Sequence, residues 1–365
     1  MSGGFLAMSH AGQVSFTVQV TVDHLPEGDK VHIVGNVPSL GTWDPAGVPL
    51  NRSEDGVWSR SFDIDADLPV QFKITRGSWV TEALNADDTI PENNLLFVTQ
   101  PTTVSVHVAK WKDEVFSQRG HVTGTVIYHR AVEGDGLMPR DIVVWFPPDY
   151  ESNAERRYPV LYMHDGQNVF DPSTSAFGHE WQVDEEADRL IREGAIEPMI
   201  VVGLYNTPNR TAEYGDDRNL TEKYVRFVID RVKPMIDQTY RTKPDAANTA
   251  VMGSSMGGLI SFIMAWDHPD VFSKAGCLSP AFIRSDVLDR VKAHEGELKP
   301  IRIYMDNGTI ELESVLQPGC DQMLDLLRAK GYAHEWFLDE GAEHNEQAWA
   351  ARVEKPLRFL FGAAR

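Results

Sequence analysis

The segment Gly253-Ser254-Ser255-Met256-Gly257-Gly258 carries one hydroxyl in a Gly-x-Ser-x-Gly spacing. An apolar run, Thr249 to Met252, precedes it, and a helix-like run, Leu259 to Trp266, follows. Strand, sharp turn and helix is the setting that lifts a serine out of the backbone as a nucleophile, with glycines where two backbones crowd together. A serine hydroxyl is a weak nucleophile at neutral pH, so it needs a base, and the base needs an orienting carboxylate. His344 follows the strand-like run Glu335 to Leu338 and is the expected base; His268 and His294 lack that strand-end placement. Asp306 and Glu311 follow the strand-like run Ile301 to Met305 and compete for the role of acid. Attack on a carbonyl also requires donors for the developing oxyanion. The amide of Met256 is one. The loop His164-Asp165-Gly166-Gln167-Asn168, after Val160 to Met163, offers the second, at Gln167 or alternatively Gly166. His164 and Asp165 are read as loop braces rather than metal ligands.

Two patterns of hydrophobicity must position these residues. Residues 14–22 alternate strictly, Val-Ser-Phe-Thr-Val-Gln-Val-Thr-Val, as a half-buried strand does. Short strand-like runs recur near 31–34, 57–64, 70–74, 95–98 and 103–108, with turn residues between them, so residues 1–112 are expected to form a small β-sandwich. A polar junction spans 113–120. From 121 to 365 strand-like runs alternate with helical ones at 183–193, 220–240, 258–268, 313–330 and 347–361. That alternation predicts an α/β fold: a mostly parallel sheet with helices on both faces.

The chain has 365 residues, enough for two domains, and a net charge of −20. With no basic stripe, nucleic acid and anionic membranes are excluded as expected partners. The two cysteines, Cys277 and Cys320, make neither a disulfide framework nor a metal pair. They fit a reducing compartment, and the N-terminus lacks the charge and apolar run of a signal peptide. The expected location is cytoplasmic.

The stretches Tyr158 to Asn168, Asn209 to Tyr214, the Ser255 turn, Ser279-Pro280, Asp306 to Glu311 and Gly341 to Glu346 together resemble the esterase D-type family of α/β-hydrolases. That family includes feruloyl, acetyl-xylan and siderophore esterases. The resemblance implies an α/β-hydrolase fold, an ester-hydrolysing triad and no cofactor or metal. It favours Glu311 as the acid, with Asp306 second. Arg210 is expected to brace Glu213 across its loop, with contact to substrate as the alternative. Residues 14–111 resemble starch-binding (family 20) carbohydrate-binding modules through Val31 to Asn36, Leu40 to Pro45, Gly56 to Trp58 and Gln71 to Ile74. This implies a glucan site at Trp43, Lys73 and Trp79, with Trp58 feeding a second site. The alternative is that Trp43 and Trp58 fill the sandwich core.

The resulting expectation is a serine esterase acting on a small-molecule ester, an acylated carbohydrate by analogy with the attached module, with α-glucan (starch or glycogen) as a partner. Two alternatives stand beside it: a siderophore or lactone esterase, and a glycan-binding protein with a decayed hydrolase domain.

Overall fold

The computed structural model describes residues 13–66, 69–116, 122–176 and 178–362. The extreme N-terminus read above for a signal, and residues 117–120 of the expected junction, lie outside the described residues. The chain divides into two compact units, Met1–Gly120 with Ala176–Gly178, and His121–Ser175 with His179–Arg365. Lys112–Phe116, overlapping the start of the expected junction, is a short helix.

The first unit is built on two four-stranded sheets. In one, Gln13–Val22 pairs antiparallel with Trp58–Asp65 and parallel with Thr102–Val108. In the other, His32–Gly35 and Pro69–Thr75 form the centre. Alternation along Gln13–Val22 turns Phe16, Val18 and Val20 inward, where they meet Phe62, Ile64, Ile33, Val70 and Phe72. Period-two patterning thus gives a sheet with one buried face.

The second unit holds an eight-stranded sheet. Its strands are β1 (Thr125–Gly134), β2 (Leu137–Phe146), β3 (Val160–His164), β4 (Ile200–Leu204), β5 (Thr249–Ser254), β6 (Lys274–Leu278), β7 (Arg302–Asn307) and β8 (Ala333–Leu338). They lie in the order β1-β2-β4-β3-β5-β6-β7-β8. The β1–β2 and β2–β4 pairs are antiparallel; the pairs from β4 to β8 are parallel. Every residue of β3, β4 and β5 is buried, as expected for strands covered on both faces. The helices are α1 (Val183–Arg192), α2 (Arg218–Arg226), α3 (Lys233–Thr239), α4 (Met256–Asp267), α5 (Val287–Ala293), α6 (Leu312–Lys330), α7 (Glu346–Arg352) and α8 (Glu354–Phe361). Two apolar clusters pack the opposite faces of the sheet. Among the described residues no helix is long and apolar enough to cross a membrane.

Two expected helices are interrupted. The run 220–240 becomes α2, a wide π turn over Phe227–Val232, and α3. Pro234, at the start of α3, has no N–H to extend the preceding helical ladder, so the ladder widens before it. The run 347–361 breaks between α7 and α8, and Pro356 falls in the first turn of α8, where its missing N–H costs nothing. Strand β1 carried no clear alternation. It is an edge strand, largely half-buried or exposed, and its pairing with β2 shifts register twice between His129 and Gly134.

Candidate active site

Adjacent rows of the parallel sheet bring the chemistry to one edge. Ser254, Leu278, Asp306 and Phe337 are successive partners across β5, β6, β7 and β8. The loops leaving those strands therefore start side by side at their carboxyl ends, where open α/β sheets gather their ligand-binding groups.

Ser255 sits between β5 and α4 with φ 56° and ψ −121°, a conformation that L residues rarely adopt. Its N–H donates to the Leu278 carbonyl at 2.9 Å and its carbonyl accepts from Ala281 N at 3.0 Å, so β6 and the following loop hold the strain in place. A Cβ at Gly253 would lie 2.8 Å from the backbone of Gly257, which fixes glycine where the strand and helix cross. Met256 opens α4, so its amide belongs to the first-turn N–H groups that have no acceptor within the helix. The helix dipole adds positive potential at the same point.

His344 lies in the loop after β8. Its Nδ1 is 3.0 Å from Oε2 of Glu313, and a carboxylate only accepts, so Nδ1 is the donor; in the neutral ring the lone pair then lies on Nε2. The imidazole packs perpendicular to Trp349, ring centroids 5.0 Å apart at 83°. Glu313 is fully buried in the first turn of α6. The Ser279 hydroxyl donates to Glu313 Oε1 at 2.6 Å and accepts from Trp349 Nε1 at 3.1 Å and Arg352 Nη2 at 2.9 Å. Arg352, also buried, reaches Asp306 Oδ1 at 3.2 Å and Asp339 Oδ2 at 3.4 Å.

The acid expected at Glu311, with Asp306 second, is corrected by this geometry. Glu311 is exposed at the N-cap of α6, where its carbonyl accepts from Ser314. Two positions further on the chain has turned by roughly 200°, so Glu313, not Glu311, points into the protein. Asp306 is buried against Arg352 and the Ser279 amide, and burial pushes its carboxyl up to about 6 despite that arginine. Glu313, Ser279 as its partner, Trp349 and Arg352 were all missed as site residues. The signal for Glu313 was its place inside a predicted helix whose first turn follows a strand.

The loop after β3 is tightly braced. Asp165 is left-handed (φ 58°), and a Cβ on Gly166 would lie 2.4 Å from the Gly203 carbonyl carbon. Asp165 takes Arg210 Nε and Nη2 at 2.7 Å each and Asn206 Nδ2 at 2.6 Å. The expected Arg210–Glu213 brace is therefore replaced: Arg210 holds Asp165, and Glu213 forms a fully buried two-pronged pair with Arg140 at 2.8 Å. Gln167, at the centre of the short turn Gly166–Asn168, is fixed through Oε1, which accepts from Asn206 N at 3.2 Å. His164 bonds the Tyr224 hydroxyl at 2.8 Å, and burial depresses its pKa to about 3, so it stays neutral. Among the described residues no group of three or more His, Cys, Asp or Glu side chains is disposed to hold a metal ion.

In the β-sandwich, Trp43 and Trp79 are half-buried neighbours, ring centroids 6.4 Å apart and inclined 36°. Trp43 has a left-handed backbone (φ 65°). Lys73, expected beside them, is paired with the buried Glu82. Trp58 is corrected to a core residue: it is 6% exposed and packs within the sandwich cluster.

Strand order, strained serine turn and strand-end histidine define an α/β-hydrolase. Within that class the chain belongs to the "Putative esterase" family, which it matches over residues 138–356, more than half its length. Residues 13–94 match the starch binding domain family. An endo-1,4-beta-xylanase/feruloyl esterase of Xylanibacter ruminicola is 30% identical over 212 residues, 57% of this chain. The alignment spans only 27% of that relative. A solved ferulic acid esterase superposes with a TM-score of 0.55 at 22% identity, over 65% of this chain and 98% of its own. The enterobactin esterase of Shigella flexneri superposes at 0.55 and 13% identity, over 91% of this chain and 88% of its own. At these identities the solved structures speak to fold.

Proposed function

We propose that the protein hydrolyses a carboxylic ester through an acyl-enzyme. The observation that carries this reading is His344 Nδ1 at 3.0 Å from a fully buried Glu313, on the edge that also bears the strained Ser255. The Ser255 hydroxyl passes its proton to His344 Nε2 as its oxygen bonds the ester carbonyl carbon. Glu313 fixes the ring tautomer and balances the imidazolium charge. The amides of Met256 and Gln167 take the oxyanion. The imidazolium returns the proton to the leaving alcohol, and the C–O bond breaks. A water then repeats the sequence, releasing the acid and restoring Ser255.

The substrate we favour is an acylated carbohydrate, supported by the starch-binding module and by the feruloyl esterase relative. The module's own ligand would be an α-glucan, taken on the Trp43–Trp79 pair, whose apolar ring faces suit sugar C–H groups. A siderophore lactone is a second reading, supported by the enterobactin esterase whose likeness extends over both units. The net charge of −20 weighs against an anionic ferric complex.

The test is hydrolysis of short-chain aryl esters by the wild type and Ser255→Ala, together with labelling by a fluorophosphonate. Turnover and labelling in the wild type, both lost in the variant, are expected; equal turnover in the two would overturn the triad. Rates on acetylated or feruloylated sugars against a trilactone then separate the substrate readings.

A further inference from the structure

A buried glutamate unused by the triad sits two residues beyond His344. Glu346 is the first residue of α7, is 5% exposed, and its Oε1 accepts from Asn168 Nδ2 at 2.9 Å. Asn168 closes the turn that carries Gln167; its N–H donates to the Asp165 carbonyl at 2.9 Å, and its carbonyl accepts from Trp181 N at 2.8 Å. The same turn touches the serine elbow, because a Cβ on Gly257 would lie 3.2 Å from Asp165 Oδ2. The loop bearing the base, the loop bearing the second oxyanion donor and the helix bearing the nucleophile are thus joined at Asp165 and Asn168. The Asn168–Glu346 bond is a side-chain link between the oxyanion loop and the start of α7, two residues past the base.

We propose that Glu346 is a positioning residue, which sets the spacing between His344 and the oxyanion loop by clasping Asn168. The assignment rests on the proposed esterase activity. A bond between two buried side chains 178 residues apart in sequence constrains both loops, and an error of about 1 Å in such a constellation lowers the chemical step by roughly 100-fold. Lost clasping therefore acts on kcat rather than on KM. The charged groups that face Glu346 are Asp165, which opposes its ionisation, and Arg210, which favours it; burial is the largest influence and raises the carboxyl to about 7. The clasp accordingly changes charge in the range where the esterase would work, and its titration leaves an inflection in the rate profile.

The experiment compares the full-length wild type, Glu346→Ala, Glu346→Gln, Asn168→Ala and Ser255→Ala on p-nitrophenyl acetate. Circular dichroism checks that each is folded. Glu346→Ala is expected to lose about tenfold or more in kcat with KM within about twofold. Glu346→Gln keeps an acceptor for Asn168, so it should recover to within about threefold of the wild type and lose the inflection near pH 7. Asn168→Ala breaks the clasp from the other side and should match Glu346→Ala, which keeps the test decisive if Glu346→Ala does not fold. Full kcat in a folded Glu346→Ala or Asn168→Ala variant, or a Glu346→Gln variant as slow as Glu346→Ala, overturns the assignment. If the wild type shows no turnover above Ser255→Ala, the esterase reading fails and this one with it. A fast wild type with an unaffected Glu346→Ala removes only the clasp.

Discussion

The edge of the hydrolase sheet and the Trp43–Trp79 region of the β-sandwich both carry residues that the sequence marks for function, but the two treat polar groups differently. At the sheet edge they are buried and bonded to one another: Ser279 uses its donor on Glu313 and accepts from Trp349 and Arg352, and Arg352 also spans Asp306 and Asp339. On the sandwich the candidate ligand residues are partly solvated, and one of them, Lys73, is already engaged by Glu82. A reacting group needs a fixed geometry before substrate arrives, which a buried network supplies. A sugar-stacking face needs only an accessible aromatic plane held roughly in place. The contrast is between preorganised chemistry and an adaptable surface.

The sharpest way to break that comparison is at the acid. Glu313→Gln is expected to lower kcat for an aryl ester by about 1,000-fold, since a glutamine no longer balances the imidazolium or fixes its tautomer. Glu311→Gln, on the exposed N-cap, should stay within about threefold. A reversed order in the two rate constants would return the acid to Glu311.

The two tryptophans of the sandwich give the next largest effect. Trp58→Ala should destabilise that unit by about 3–5 kcal/mol in a urea titration, because it empties a core position. Trp43→Ala should cost under about 1 kcal/mol yet abolish retention on starch or glycogen, if the wild type is retained. Equal destabilisation by both would make Trp43 structural, and a wild type that does not bind would leave the sandwich without the proposed glucan site.

The smallest effect is a pH dependence of stability. Asp306 has an ordinary carboxyl value of 3.8 that burial raises to about 6 in the folded chain. Between those values the folded state keeps a proton that the unfolded state has lost, so this group's contribution falls as pH rises from about 4 to 6 and is level above. Asp306→Asn removes the titration. Melting temperatures of variant and wild type, taken from pH 4 to 7, should therefore shift in favour of the variant with rising pH. A constant difference would mean that Asp306 stays ionised beside Arg352 throughout.

Periodicity carried the fold class and most of the buried strands. Strict alternation at 14–22 and apolar runs at 160–163 and 250–252 report one-sided and two-sided burial, which are local properties of sequence. The Gly-x-Ser-x-Gly turn was legible for the same reason, since its glycines answer a backbone crossing within five residues. Edge strand β1 escaped because pairing on one side imposes no clean pattern. Trp43 and Trp58 look alike as residues in strand-and-turn context, and only the packed sandwich separates a half-exposed ring from a core one.

The sequence by itself determined the class of fold, the strained serine and the strand-end histidine, because each is set by a short run of neighbours. The tertiary structure decided which carboxylate meets that histidine. Glu311 and Glu313 differ by two positions at a helix start, and the direction a side chain points there depends on where the helix begins. It also decided the partners of Arg210, Glu213 and Glu346, each of which lies on a segment far in sequence or on another element. Such pairings follow from strand order and loop approach in three dimensions, which no local spacing records.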